Sequence, residues 1–485
     1  MRYAARDWPP SALAATLILP LALAGCGFQS YKPKPIDQAE TAARLQRRSL
    51  DDPKLREYIT AQGQAPSQWP LSSWNPAQLT LAAVYFHPDV ELAAARALVA
   101  QAQTATARLA PYPTLSVRPE YNTKVPSGDT PWGLGVTALI PLDLGGKTRI
   151  RAEQMASLEE AARLEVGAAA WRVRARLRRA LLDYHGAEAT VQALQHEQQQ
   201  RTALLALMEK RLASGEVSRN DVTAIQLRVT EADTALRRAI SRREQARAAV
   251  AEAVGLPLDQ MQNVQFDLAG FDTPPPAPDL KELREQALTN RIDLRRKLAE
   301  YAAADLAVKL EVARQYPDFT IGPGYFWDFE HATWSLLMVS QIPLSGRRNA
   351  QIREAEARRE VEERAFVAMQ ASVIAEAGSA WTRYTQALQG LESARASAGL
   401  AGQRRTKVQR QFDAGYVDRV DLRLAELEMA AAERALVSAR LEAQQGLSAL
   451  EDAVQRPLEP TEAETTSASA PAPSGTVSPA LLDED

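Results

Sequence analysis

The chain has 485 residues, with 57 Lys or Arg against 60 Asp or Glu, so its net charge of −3 sets up no field for nucleic acid. Glycine is sparse (23 residues) and Ala, Leu, Arg, Glu and Gln are abundant, which is the composition of long helices. The single cysteine excludes an intrachain disulfide, so packing alone must stabilise the fold.

The first segment reads as a processing signal. Arg2 and Arg6 precede a short apolar stretch from Ser11 to Leu23, interrupted by Pro20, and Leu23-Ala24-Gly25-Cys26 completes it. That run looks like a bacterial lipobox, in which residues 1–25 are removed and Cys26 is lipidated, palmitate included; the alternative is an ordinary secretory signal with an incidental Cys. Gly27 follows in place of an aspartate, which in bacterial lipoproteins favours transfer to the outer membrane. Such a lipid anchors without spanning. Beyond the signal no window reaches the roughly 18 apolar residues of a membrane helix, so any span must be made of strands. Residues 26–75 are polar and punctuated by proline, with Trp69 and Trp74 near the end, and predict a lipidated, extended N-terminal arm.

From there the chain repeats itself. A pattern starting near His87 recurs about 204 residues later, pairing Asp89 with Asp293, Tyr112-Pro113 with Tyr316-Pro317 and Tyr121 with Tyr325. Further on the offset is about 200, pairing Gly146 with Gly346, Tyr184 with Tyr384, Gly215 with Gly415, Asp221 with Asp421 and Pro257 with Pro457. Solenoid units run to roughly 20–50 residues, so a duplication of this length implies two similar subdomains about a pseudo-symmetry axis. Repeat 1 covers 76–258 and repeat 2 covers 279–458.

Repeat 1 opens with an Ala-rich helix over 76–110 that Pro111 and Pro113 close. The period then changes from 3.6 to 2. In a first strand, 114–123, Leu115, Val117, Pro119 and Tyr121 share one face. Turn residues Pro126, Gly128 and Asp129 follow, and a second strand, 131–141, places Trp132, Leu134, Val136, Ala138 and Ile140 together. Repeat 2 repeats the design with a helix over 279–314 and strands 317–327 and 333–343. Strands of about ten residues suit a tilted membrane crossing, and aromatics near the strand ends suit an interfacial girdle. A soluble antiparallel sheet with one buried face is the alternative; secretion, the lipobox and four such strands favour the membrane. Four strands cannot close around water, and lipid does not tolerate open edges. Three chains sharing one 12-stranded barrel are the simplest closed, symmetric solution.

The remaining helices are long: 147–213 and 218–254 in repeat 1, 347–413 and 418–454 in repeat 2. The 147–213 helix spans about 100 Å, and the opening and closing helices laid end to end match it. Leu177, Leu181, Tyr184, Val191, Leu205, Met208 and Leu212 recur near the 3.5 spacing of coiled-coil packing. The fold class is therefore mainly α with a membrane β-barrel, in which tandem helical hairpins form a tunnel. The structural rival is a lipid-anchored periplasmic coiled-coil scaffold without channel activity, which leaves the inserted strand pairs unexplained.

Helix, strand, strand, long helix, tight turn and helix, twice over, resembles the TolC-type outer-membrane efflux family over about 75–458, and the lipobox matches its lipoprotein members. The most specific motif is the turn, RLASGEVSRNDV at 211–222 and QFDAGYVDRVDL at 411–422. Gly215 and Gly415 supply a left-handed helix cap, and Ser218 and Asp418 cap the following helices. The resemblance implies that these turns form the periplasmic tip of the tunnel, where an adaptor (membrane fusion protein) docks and the aperture closes. It also implies a homotrimer, an inner-membrane pump as a separate partner, and passive transport of small molecules or metal ions. Asp421 would contribute to a constricting acidic ring and Asp221 to an inter-helix latch; both are equally placed to favour a helix dipole as ordinary first-turn residues. Leu424 stands where the family has a second ring aspartate, and Phe412 and Val417 replace its latch tyrosine and arginine, so the latch chemistry must differ.

No enzyme is legible. Gly145-Gly146-Lys147-Thr148 resembles the end of a phosphate loop, but Pro141 stands where that motif needs glycine. His87, His185, His196 and His331 lack ligand spacing, so neither metal site nor cofactor is expected. Arg172, Arg174, Arg176, Arg178 and Arg179 form a basic run, read as a solvated face paired with acids on neighbours or as an electrostatic element of the tunnel. Residues 459–485 turn to Thr, Ser, Ala and Pro and predict a disordered periplasmic tail.

Overall fold

The computed structural model describes residues 29–124, 130–328, 331–340 and 345–458. The lipobox, the turn at 125–129, the end of the last strand and the C-terminal tail lie outside them. The chain divides into two compact units between Arg47 and Arg48. The first contains helix α1 (Gln38–Gln46), capped by Asp37, which accepts from the Ala39 N–H at 2.8 Å.

The second unit runs α2 (Pro53–Ala61), α3 (Pro76–Phe86), α4 (Pro88–Ala107), β1 (Thr114–Tyr121), β2 (Trp132–Leu142), α5 (Lys147–Ala213), α6 (Arg219–Val254), α7 (Leu258–Met261), α8 (Leu280–Asn290), α9 (Ile292–Ala313), β3 (Phe319–Asp328), β4 (His331–Ser340), α10 (Ser345–Asp413) and α11 (Arg419–Val454). Over residues 29–75 the chain does not stay extended. Leu55 and Ile59 are spaced to share one helix face, and α2 buries both completely in a core that also takes in α3, α5 and α6. Trp74 is buried beside them and pairs its backbone with Gln265 and Asp267, at 2.9 and 3.0 Å.

The opening helix of each repeat is also not continuous. His87 sits at ψ 125 between α3 and α4, because the ring of Pro88 drives the preceding residue out of the helical region. Proline at the first position of a helix is a start signal, so the stretch 76–110 holds two helices where one continuous helix is expected. In repeat 2 the break falls at the equivalent Arg291, at ψ 129, with no proline after it. There the guanidinium fixes the geometry, donating to the Ala453 carbonyl at 2.8 Å, to Glu376 at 3.0 Å and to Asp293.

The long helices α5 and α10 have 67 and 69 residues and carry no proline, and α6 and α11 have 36 each. On α6 the small residues Ala232, Ala239, Ala246 and Ala253 recur every seventh position and are all buried, which lets α5 approach closely. Two cores sit beside the helix breaks. The larger joins α2, α3, α5 and α6 around Leu79, Phe86, Leu177, Leu181 and Val250; the smaller joins α8, α10 and α11 around Leu283, Val373, Tyr384 and Leu447. Each such side chain contributes roughly 1.5–3 kcal/mol by leaving water. The Pro-rich link between repeats is strapped to the smaller core, where Tyr384 donates to the Pro275 carbonyl and Trp381 to that of Pro278 at 2.9 Å.

Candidate functional site

The four strands form one antiparallel sheet in the order β1-β2-β3-β4, with β1 and β4 at its free edges. Its register sets like against like. Val117 lies opposite Val136, which lies opposite Tyr325, which lies opposite Trp334. One face is therefore apolar from edge to edge, and it is bare: Val117 is 56%, Trp334 80% and Leu336 70% exposed. A soluble sheet would cover such a face. Two repeat-related aromatic pairs lie on it, Tyr121 with Trp132 at 4.8 Å and Tyr325 with Trp334 at 5.0 Å between ring centroids.

The opposite face carries Thr114, Ser116, Arg118 and Glu120 on β1 and glycines on β2 and β3. A Cβ on Gly135 would meet the Phe326 ring at 2.5 Å, and one on Gly324 would meet Ser335 Oγ at 2.7 Å. The glycines thus let side chains lie flat along the wall. Arg118 stacks over Phe326 at 5.1 Å.

Where strands give way to helices, the two repeats are tied together. Asp143 caps α5 by accepting from the backbone N–H of Lys147 at 2.8 Å and of Thr148 at 2.7 Å. Lys147 turns its nearly buried Nζ onto Asp318 at 2.6 Å and the Tyr316 carbonyl at 2.7 Å. The Gly-Gly-Lys-Thr run is a joint whose lysine is already engaged, not a phosphate loop.

At the far end, both turns adopt the same local structure. Gly215 and Gly415 take φ 80 and 77, where a side chain would be strained. Ser218 and Asp221 form a capping box: the Ser218 hydroxyl accepts from the Asp221 N–H, and Asp221 Oδ2 accepts from the Ser218 N–H at 3.0 Å and from its hydroxyl at 2.7 Å. Asp418 and Asp421 repeat it, Asp418 accepting from the Val420 and Asp421 N–H groups and Asp421 from the Asp418 N–H at 3.2 Å. Donation from the Ser218 hydroxyl, then from its N–H, holds the Asp221 pKa below the ordinary carboxylate range. Asp418 is lowered too, first by Arg211 and then by the N–H of Asp421.

Arg211 is the tip residue that sequence motifs missed. It reaches across from repeat 1 to Asp418 of repeat 2 at 2.8 Å. The available signal was an asymmetry, since its repeat counterpart is Gln411 and that of Asp418 is Ser218. Phe412 is occupied by a stacking Arg419, 5.7 Å from its ring.

The basic run on α5 resolves into paired groups. Arg174 and Arg178, one turn apart, converge on Glu451 of α11 at 3.1 and 3.2 Å, and all three are buried. Arg172 pairs with Glu165, Arg176 with Asp89, and Arg179 with Asp452 at 3.4 Å. The histidines serve locally. His87 accepts from the Asp89 N–H at 3.1 Å, His185 meets Asp272 at 3.3 Å, and His196 meets Glu433 at 3.8 Å. Among the described residues no group of His, Cys, Asp or Glu could hold a metal ion, and no helix is long and apolar enough to cross a membrane.

Residues 83–256 match the family model described as outer membrane efflux protein. No curated protein matches the sequence. Among solved structures, the outer membrane protein VceC of Vibrio cholerae is 20% identical, with a TM-score of 0.64 over 79% of this chain and 97% of its own. The outer-membrane channel OprN is 19% identical, with a TM-score of 0.65 over 89% and 98%. The open state of the Neisseria gonorrhoeae MtrE outer membrane channel is 18% identical, with a TM-score of 0.61 over 78% and 88%. At these identities the likeness is one of fold.

Proposed function

We propose that this chain, which carries the signature of outer membrane efflux proteins over residues 83–256, is the outer-membrane exit duct of a tripartite efflux or secretion system. One observation carries the reading: a four-stranded sheet with a bare apolar face and two free edges stands on helical hairpins about 100 Å long. Lipid covers an apolar strand face of this kind, and only closure with further copies satisfies the edges. Three copies close the barrel, and their hairpins continue it as a periplasmic tunnel. The duct is passive, and an inner-membrane pump with a periplasmic adaptor drives cargo into it.

Cys26 carries the lipid that holds the mature N-terminus at the outer membrane. The turns around Gly215, Ser218, Asp221, Gly415, Asp418 and Asp421 form the periplasmic tip, where the adaptor docks and the aperture narrows. In each capping box Oδ2 of Asp221 or Asp421 takes the hydrogen bonds, and both carboxylates stay exposed to solvent.

Reconstitution of the purified protein into planar bilayers tests the duct, with discrete conductance steps expected from a particle of trimer mass. A protein that stays monomeric and gives no steps would instead be a periplasmic scaffold. Mass spectrometry of the mature N-terminal peptide tests the lipid at Cys26.

A further inference from the structure

Each repeat breaks its opening helix at the same place, and the two breaks are held by different chemistry. The repeat offsets pair His87 with Arg291, Pro88 with Ile292, Asp89 with Asp293, Arg176 with Glu376 and Gly255 with Gln455. In repeat 2 Arg291 donates to the Ala453 carbonyl at 2.8 Å and to Glu376 and Asp293 at 3.0 Å each. Gln455 Oε1 accepts from the Ile292 N–H at 2.9 Å. A guanidinium stays charged at any pH a protein meets, and an amide has no charge to lose. The two carboxylates stay ionised above about pH 5. Mild acid therefore leaves this break as it is.

Repeat 1 relies on a histidine instead. Pro88 has no N–H to satisfy, and Gly255 stands in place of Gln455, so near the break that a Cβ on it would lie 3.2 Å from the Phe86 carbonyl oxygen. Both nitrogens of the buried His87 ring face donors, Nδ1 the Asp89 N–H at 3.1 Å and Nε2 the Arg176 guanidinium at 2.8 Å. The first contact caps α4, and the second ties the start of α4 to α5. A neutral imidazole has a lone pair for one of these donors; an imidazolium has none for either. Burial of the ring opposes a proton first. Asp89 on α4 favours one, Arg176 on α5 and Arg48 ahead of α2 oppose it, and Glu252 on α6 favours it. Arg48 is itself held by the Phe86 carbonyl and by Glu91. Arg176 also reaches the Asp89 carboxylate at 3.3 Å, and His87 Nδ1 lies 3.6 Å from the same oxygen, so a charged ring competes with Arg176 for it.

We propose that the helix break of repeat 1 is an acid-sensitive joint and that of repeat 2 a permanent one, so that mild acid unfastens α4 from α5 at a single place in each chain. Protonation of His87 removes the cap from α4, sets like charge against Arg176 and divides Asp89 between the two. Along α5 the joint lies roughly 45 Å from the strands and roughly 55 Å from the turn at Gly215. The contact there between Arg211 and Asp418 depends on a carboxylate whose pKa is lowered, so it outlasts the joint as pH falls. Mild acid thus loosens the middle of the helical wall and leaves the tip fastened. The joint is a property of the single chain, and it stands or falls apart from the exit-duct reading.

Hydrogen exchange of the full-length protein, read by mass spectrometry on peptides over 83–92 and 287–296, tests the joint within one molecule. The intrinsic exchange rate changes with pH alike in both segments, so the ratio of their protection isolates the local opening. From pH 7.5 to 5.5 protection over 83–92 should fall about three- to ten-fold relative to 287–296, the range open to one titrating group. H87N should hold the ratio constant, because asparagine caps a helix without titrating. H87R/R176E, which writes the repeat 2 pair into repeat 1, should hold it constant too and protect 83–92 at pH 5.5 better than wild type does. A constant ratio in wild type overturns the joint. An equal fall in H87N also overturns it, by placing the titrating group elsewhere. The comparison of H87N with wild type decides even where the double variant fails to fold.

Discussion

Arg211 donates to Asp418 at 2.8 Å, joining the last turn of α5 in repeat 1 to the N-cap of α11 in repeat 2. The same aspartate caps α11, so a single side chain both starts that helix and holds it to α5. The pair ties the two repeats together at the level of the turns. Arg211→Ala or Asp418→Asn should raise the open fraction in planar bilayers about two- to five-fold, the range of a solvent-exposed ion pair, with the effect shrinking at high salt. The double variant should add nothing to either single one. Because the Asp418 pKa is lowered by Arg211, the contact is complete above the ordinary carboxylate value and is lost only as pH falls through the lowered one. The open fraction should therefore be flat from pH 8 to about 5 and rise below about 4.

Glu451 is buried against Arg174 and Arg178, and it also accepts from the Leu458 N–H at 2.8 Å. Glu451→Ala removes a buried acid from two buried guanidiniums and should cost about 3–5 kcal/mol in chemical denaturation. The repeat counterparts of these three residues are uncharged, Ile374, Gly378 and Ala251. The triple variant R174I/R178G/E451A should consequently regain most of the stability that E451A loses. If it unfolds as easily as E451A, the triad contributes more than mutual neutralisation.

His87 makes the fold sensitive to mild acid. Burial lowers its pKa, Asp89 opposes this, and Arg176 and Arg48 lower it further. The folded state therefore stays neutral at a pH where the unfolded chain has already taken up a proton near 6.5. Stability is full above about pH 6.5, declines as pH falls below it, and levels off below the folded value, with a slope of at most about 1.4 kcal/mol per unit. The melting midpoint should be lower at pH 5.5 than at 7.5, and His87→Asn, which keeps a helix-capping side chain without titrating, should flatten that difference.

The architecture was legible because its signals are long. Alternation over Thr114–Tyr121 and Trp132–Leu142 survives any single exception, and a proline-free run of 67 residues admits little but helix. The errors arose where one residue decides. Pro88 starts a helix inside an Ala-rich stretch whose composition alone predicts continuity. Arg291 breaks its helix through a guanidinium held by Asp293, Glu376 and Ala453, contacts that lie up to 162 residues apart and leave no local trace. Leu55 and Ile59 are only two apolar positions in a polar segment, and their burial depends on α3, α5 and α6 being in place. At the tip the capping residues were readable from their spacing. The Arg211 bridge was not, because it joins residues 207 apart.

Neighbouring residues on β1 separate a lipid-facing sheet from a soluble one. Val117 lies on the bare apolar face, opposite Val136, and Ser116 lies on the other face, opposite Thr137. Both are exposed in the isolated chain, so a water-soluble sheet would accept arginine at either position. In a barrel the two differ. Val117→Arg places a charge near the bilayer midplane, at about 2–4 kcal/mol, and should sharply reduce the yield of trimers extracted from membranes. Ser116→Arg projects into the lumen, where water solvates it. It should assemble at wild-type yield and shift the reversal potential toward anion selectivity under a salt gradient, because three added positive charges line one ring of the pore. Equal assembly of the two variants, with no change in selectivity for Ser116→Arg, would mean that neither face meets lipid and that the strands form a sheet in water.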